Sequence, residues 1–355
     1  MDPLREASGS HIVAPRHIIN EPPLPEVDNA LNTTVLCYDL TIQPDFQTYF
    51  EALHPYAWVL WGTALAVVVV ICLLFTATLR AARQHWAECG SNLTVVLAVY
   101  PLVAISGLVV LAVPRARLLA EAAAQQAVMV GMYHLYHMLL AEAGGPGKLA
   151  RRAGDSRLET RVLPCCCWPC CVIPRPVLDL RSLEWLRYLV LQLPIVQGII
   201  YSIILVFSAE DMNLYLRSFI FFQPFVVVSI LSGVWGINMM VRTCEASGLS
   251  CRPRFLALQL LLIVVKVQCG IAKTLPEMVT LPCVLNLNPA VVVHMIQYSI
   301  MIVETLALSL WAWRLYRAPA TAGEGGKVRQ VVVAVLDDHQ KPNTIGRSLS
   351  ANGAL

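Results

Sequence analysis

Five of the chain's twelve cysteines lie within seven residues, in the segment LPCCCWPCC that runs from Leu163 to Cys171. They are Cys165, Cys166, Cys167, Cys170 and Cys171. Clustered thiols can bind zinc, form a redox pair, close disulfides or carry fatty acyl chains. Which of these is available depends on the compartment, because the cytosol keeps ordinary thiols reduced. The position of the segment relative to any membrane must therefore be settled first.

The composition predicts a membrane protein. Apolar residues make up 57% of the chain and charged residues only 14%, against about 25% charged in a typical soluble domain. The mean hydropathy is +0.62. The segment Tyr56–Leu79 contains no charged residue until Arg80, and about 20 apolar residues are enough to cross a bilayer as a helix.

Six more apolar segments follow, so the predicted fold is an all-α membrane protein with seven transmembrane helices. The six are Val95–Val113, Leu118–Ala141, Leu186–Phe207, Leu216–Val241, Phe255–Ala272 and Pro289–Trp313. The third span is interrupted by polar residues and the sixth carries Lys266, which favours contact of both with protein or water rather than lipid. The predicted organisation is an extracellular segment 1–55, a membrane domain 56–313 and a mostly disordered cytoplasmic tail 314–355.

The distribution of Lys and Arg indicates the orientation. With the N-terminus outside, the segments 80–91, 142–182, 242–254 and 313–355 are cytoplasmic and hold 18 basic residues, against five outside. The positive-inside rule therefore places the N-terminus outside and the C-terminus in the cytoplasm. Asn32 begins a glycosylation sequon on the outer side, whereas the sequon at Asn92 lies on the cytoplasmic side, out of reach of the glycosylation machinery.

This orientation puts the cysteine cluster in the longest cytoplasmic loop, 142–182. Cys167 and Cys170 have C-x-x-C spacing, but a redox dithiol needs a strand-to-helix setting that a loop between two spans does not offer. A zinc site needs two well-separated ligand pairs. Juxtamembrane cysteines beside basic residues are typical of S-palmitoylation, which is the predicted chemistry; an unmodified loop is the alternative. Cys37 and Cys283 lie outside, where they could form a disulfide.

Polar side chains inside the spans are the candidates for a substrate path, because such residues usually face the bundle interior. The seventh span carries a stripe of His294, Gln297 and Glu304, and the sixth carries Gln259, Lys266 and Lys273 every seven residues. Lys266 and Glu304 are predicted partners. They form either a purely structural ion pair or one in which Glu304 holds Lys266 until an anionic head group binds to Lys266. In the third span, Gln125 follows Glu121 by one turn. We interpret His134 and His137 of the same span as helix-packing residues or as part of an aqueous lining, since two ligands do not make a metal site.

Several features together resemble the alpha subunit of the organic solute transporter family over roughly residues 35 to 320. They are the seven spans, Pro114-Arg115 before a polar third span that contains Glu121 and ends at Glu142-Ala-Gly-Gly145, and the cysteine cluster that follows. The resemblance implies a facilitative, bidirectional carrier of amphipathic organic anions such as bile acids and conjugated steroids. The resemblance also implies a small single-span beta subunit as partner and a location in the basolateral plasma membrane of epithelia. The expectation that Glu121 is a site residue depends mainly on this resemblance.

Other classes fit the sequence less well. A seven-span receptor usually ends its third span with an acidic-Arg-aromatic triplet, which Leu140-Ala-Glu-Ala-Gly-Gly145 lacks, and a non-transporting membrane scaffold is the further alternative. The sequence contains no serine elbow or H-E-x-x-H motif, so no enzyme, metal or cofactor is predicted. The basic residues flank membrane spans rather than form a nucleic-acid face. Membrane lipids are expected contacts, and a homo-oligomer is an open possibility.

Overall fold

A computed structural model describes residues 44–54, 56–83, 89–153, 157–162, 175–279, 281–284 and 287–317. Within these ranges the chain is helical, and apart from two isolated bridges it forms no β-structure. The helices are α1 (Phe46–Leu53), α2 (Tyr56–Arg83), α3 (Gly90–Ala112), α4 (Arg117–Glu142), α5 (Pro146–Ala153), α6 (Leu180–Glu210), α7 (Met212–Ala246), α8 (Arg252–Met278) and α9 (Pro289–Arg317).

Six of the described helices are long and apolar enough to cross a membrane, namely α2, α3, α6, α7, α8 and α9. They match six of the seven predicted spans, and the protein is a multi-pass membrane protein. The predicted sixth span is longer than expected, because α8 begins at Arg252 and continues past Lys273 to Met278. The predicted third span corresponds to α4, which falls short in hydropathy, so the total of seven spans stays a prediction. The orientation of the termini also stays a prediction.

Helix α4 lies inside the bundle, in contact with α3, α6, α7 and α8. Its 26 residues would extend about 39 Å at 1.5 Å per residue, enough to cross a bilayer. Glu121 and Gln125 on this helix are buried. Because α4 faces protein along much of its length, it carries polar residues that a lipid-facing helix could not carry without a large cost.

The turn after α4 explains the paired glycines of the Glu142-Ala-Gly-Gly145 segment. Gly144 and Gly145 have φ angles of 86° and 88°, in the left-handed region that glycine enters without steric cost. The Gly145 N–H donates to the Leu140 carbonyl at 2.9 Å, the bond of a Schellman helix end. We call this the Glu142 end of the bundle, and the opposite end, where α3 leads into α4, the Pro114 end.

Helices α6 and α7 approach closely because one of them carries a glycine at the contact. A Cβ on Gly233 would lie within 2.3 Å of the Leu193 side chain, so no larger residue fits there without a shift. Small residues at such contacts let membrane helices pack through van der Waals interactions.

At the Pro114 end, Trp61 Nε1 and the Tyr49 hydroxyl both donate to the Leu111 carbonyl, at 2.9 and 3.2 Å, which fixes α1 and α2 against α3.

Several predicted modifications fall on residues outside the described ranges. Asn32, Cys37 and the five cysteines of the 142–182 loop are among them, so glycosylation and acylation stay predictions. Cys283 is described and is disulfide-bonded. None of the other described cysteines, Cys72, Cys89, Cys244, Cys251 and Cys269, forms a disulfide, so the partner of Cys283 lies outside the described residues.

Candidate functional site

A cavity of about 60 Å³ lies between α4, α6, α7 and α8, and it brings together polar residues from distant parts of the sequence. Its lining contains two lysines, one carboxylate and several amides together with apolar side chains. The polar residues are Glu121, Gln125, Gln197, Tyr201, Gln223, Lys266 and Lys273; the remainder are Ile200, Ile204, Phe219, Val226, Cys269 and Gly270. Such a lining suits a molecule that has one charged end and an apolar body.

Lys266 reaches the cavity from α8 and is held by two glutamine side chains. Its Nζ donates to Gln197 Oε1 at 3.0 Å and also to Gln125 Oε1. The same Nζ lies 5.5 Å from the ring centroid of Tyr201, within the range of a cation–π contact. Among the described ion pairs, none includes Lys266. Its direct contacts are therefore with amide oxygens and an aromatic ring rather than with a carboxylate.

The predicted pairing of Lys266 with Glu304 is wrong. Glu304 on α9 instead accepts a hydrogen bond from Gln268 Nε2 at 2.5 Å. Gln268 lies two positions after Lys266 in α8, so the two side chains leave the helix in different directions. Helical periodicity correctly places residues on a stripe of one helix, but it does not determine which stripe of the neighbouring helix faces it.

The ion pair of this region joins Glu121 and Lys273. Lys273 Nζ donates to Glu121 Oε1 at 2.7 Å, with the Glu121 side chain 3% exposed and that of Lys273 15% exposed. Gln125 Nε2 donates to the same Glu121 oxygen at 2.9 Å. Lys273 Nζ also lies 4.5 Å from the ring centroid of Phe219 on α7. These contacts join α4, α7 and α8 at the part of the cavity lining nearest the Pro114 end.

Beside the cavity, a directed chain of hydrogen bonds links α4, α9 and α8. Arg117 Nη1 lies 2.9 Å from His294 Nε2, and a guanidinium can only donate, so Nε2 accepts and the ring proton is on Nδ1. That Nδ1–H donates to Gln297 Oε1 at 3.0 Å, and Gln297 Nε2 in turn approaches Cys269 Sγ at 3.2 Å. The predicted stripe residues His294 and Gln297 thus support the cavity wall through Cys269 without lining the cavity themselves.

The two histidines of the third predicted span lie away from the cavity. His134 Nδ1 is 2.8 Å from Asn92 Oδ1 on α3, and the His137 ring packs edge-on against Tyr133, with the centroids 4.6 Å apart. His134 therefore joins α3 and α4, whereas the His137 ring contact lies within α4. Within the described part of the chain, no three potential metal-ligating side chains come together.

Four residues of the cavity with an amide, hydroxyl or thiol group were not identified from the sequence, namely Gln197, Tyr201, Gln223 and Cys269. Gln197 and Tyr201 are one helical turn apart on α6, so they share a face. The available indication was a glutamine and a tyrosine at i and i+4 within a mostly apolar span. Cys269 gave no comparable indication, because a lone cysteine in an apolar helix usually packs as a small hydrophobic residue.

The fold and the cavity together define a multi-pass helical membrane protein with a cavity lined by charged and amide side chains. The sequence matches the family described as "Organic solute transporter Ostalpha" over residues 57–321. It is also 24% identical over 284 residues to the "Organic solute transporter alpha-like protein" of Drosophila melanogaster, covering 79% of this chain and 86% of that protein. No solved structure matches. The chain belongs to the organic solute transporter Ostalpha family, and it is a transport protein rather than an enzyme.

Proposed function

We propose that this chain is the alpha subunit of a heteromeric plasma-membrane carrier that moves amphipathic organic anions, such as steroid and bile-acid conjugates, in both directions and without an energy source. The observation that carries the proposal is Lys266, a cation in the cavity for which the described residues supply no carboxylate partner. Lys273 and Glu121 neutralise each other, so the lining has an excess of one positive charge. A single anionic group would balance it.

The size of the cavity limits how much of such a substrate it can enclose. Pockets that bury a drug-sized ligand measure roughly 300–1,000 Å³, whereas this cavity measures about 60 Å³. It therefore has room for a charged head group but not for a sterol body. The apolar wall formed by Ile200, Ile204 and Val226 offers the start of a surface along which that body would extend.

Uptake into liposomes tests the proposed function directly. The purified chain, reconstituted with and without a candidate single-span partner, should carry radiolabelled sulfated and taurine-conjugated sterols down their gradients in either direction. The neutral parent sterol, which lacks the anionic group, should show no protein-dependent flux. Absence of flux for every conjugate, with the partner present and the chain correctly inserted, would favour a non-transporting scaffold instead.

Gly270 provides a second test of the proposed function, because it is an exposed glycine in the cavity lining. A Cβ at Gly270 would meet no atom within 4 Å, and the neighbouring Val267 and Ile271 are exposed apolar residues of α8. Gly270 lies six residues before Pro276, or about 9 Å inside the end of the span. We propose that the sterol body passes between α7 and α8 at this position, toward the lipid.

Gly270→Leu should then lower the flux of sterol conjugates about tenfold, because one added group in an apolar passage discriminates by that order. The matched control is Gly62→Leu in α2, where a Cβ also meets no atom within 4 Å. Both substitutions replace glycine within a helix and should favour folding slightly. Flux that is equal in the two variants and in the wild type would show that the body takes another route.

A further inference from the structure

Gln197 carries a buried hydrogen-bond donor for which the described residues supply no acceptor. Its side chain lies on α6, lines the cavity and is 3% exposed. The Oε1 atom accepts from Lys266 Nζ at 3.0 Å, but within the described residues the Nε2 atom has no hydrogen-bond partner. A buried polar group without a partner is costly and calls for an explanation.

An exchanged amide orientation does not remove the orphaned donor. An ammonium group can only donate, so the atom of Gln197 that faces Lys266 must be the oxygen. Reversing the amide would place the NH₂ group against the ammonium, with donors facing each other. Lys266 therefore determines the orientation of Gln197, and the NH₂ group is left over as a consequence.

Lys266 itself retains donor capacity. Its ammonium has three N–H bonds, and the described oxygen acceptors account for two of them, Gln125 Oε1 and Gln197 Oε1. The remaining N–H has the Tyr201 ring as its neighbour, a weaker acceptor than oxygen. A charged donor and a neutral donor are thus separated by only one amide group in a cavity whose lining carries excess positive charge.

We infer that Gln197 Nε2 and Lys266 Nζ form a subsite that binds an oxyanion through two of its oxygens. The ligand class is sulfate, sulfonate or carboxylate, since each presents at least two oxygens from one centre and accepts two hydrogen bonds at once. This inference rests on the proposed function and assigns the head-group position within it. Gln197 would thereby favour an oxyanion over a spherical anion such as chloride, which offers a single atom.

The test uses two substitutions of Gln197 in the full chain, with methanesulfonate as the probe. Gln197→Met removes the donor but keeps the length and the apolar stem, so methanesulfonate should bind about tenfold more weakly. Gln197→Glu keeps the oxygen that accepts from Lys266, removes the donor and adds a fixed negative charge. It should abolish methanesulfonate binding while the protein remains folded.

Thermal unfolding of the purified chain measures this binding, because a ligand of the folded state raises the unfolding temperature. Methanesulfonate, compared with chloride at equal ionic strength, should raise the unfolding temperature of the wild type. The rise should be smaller for Gln197→Met and absent for Gln197→Glu. The matched control is Gln259→Glu, which adds the same charge about 10 Å along α8 from Lys266, outside the cavity. It should respond like the wild type.

The outcomes separate the subsite from the proposed function. If methanesulfonate stabilises the wild type and both Gln197 variants equally, or does not stabilise the wild type, the subsite is overturned. Sterol-conjugate flux that survives both substitutions also overturns it, although the transport proposal then stands. Binding that depends on Gln197, in a chain that moves no sterol conjugate, would support the subsite and contradict the proposed function.

Discussion

Replacing Lys266 with glutamine is expected to lower the flux of sulfated and taurine-conjugated sterols tenfold or more, while the amount of protein at the cell surface falls much less. Hydrogen bonds to charged groups contribute about 1.5–3 kcal/mol, which corresponds to roughly ten- to hundredfold in affinity. Glutamine retains a donor near Gln125 and Gln197 but removes the charge. The loss should therefore be large for anions and small for folding.

The control for this experiment is Glu304→Gln. Glu304 is an ionisable residue within a neighbouring span, but it pairs with Gln268 and does not line the cavity. Its substitution should leave flux per molecule at the surface unchanged. Flux should be measured in intact cells and normalised to surface protein. If Lys266→Gln transports conjugates normally once normalised, the amides hold Lys266 for structural reasons alone and the anion binds elsewhere.

The membrane helices could be predicted because the bilayer imposes a simple rule on the sequence. Every lipid-facing span needs about 20 apolar residues, and the six candidate spans of the structure correspond to six predicted segments. The polarity of the predicted third span also predicted contact with protein, and α4 does lie inside the bundle. Exact helix ends could not be obtained in this way, since Arg252 and Lys273 belong to α8 although charged residues usually mark the end of a span.

The site could be predicted only in part. Lys266, Glu121 and Gln125 line the cavity, as expected of polar residues inside spans. Their partners could not be predicted, because packing between helices decides which stripes face each other. Gln197 and Tyr201 complete the site from α6, where close contact with Gly233 of α7 helps to set the position of the helix. The sequence alone contains no information on that register.

A second expected result concerns stability, at the Glu142 end of the bundle. Arg254 of α8 donates through both terminal nitrogens to the Glu142 carboxylate of α4, with Nη2 at 3.1 Å from Oε1. The two side chains are only 5% and 7% exposed. Removing one partner of a buried ion pair typically costs about 3–5 kcal/mol, because the other charge is left buried and uncompensated. Glu142→Gln and Arg254→Met should each lower the unfolding temperature by about ten degrees.

The double variant Glu142→Gln/Arg254→Met should be less destabilised than the sum of the two single variants, since it leaves no buried charge behind. The control is Glu245→Gln, which removes a second ion pair at this end: Glu245 and Arg242 are 3.9 Å apart, and their side chains are 28% and 47% exposed. That loss should cost less than about 1 kcal/mol. Thermal unfolding of the four purified variants measures these effects. If the single variants Glu142→Gln and Arg254→Met are as stable as Glu245→Gln, water reaches the Glu142–Arg254 pair and the pair does not hold α4 against α8.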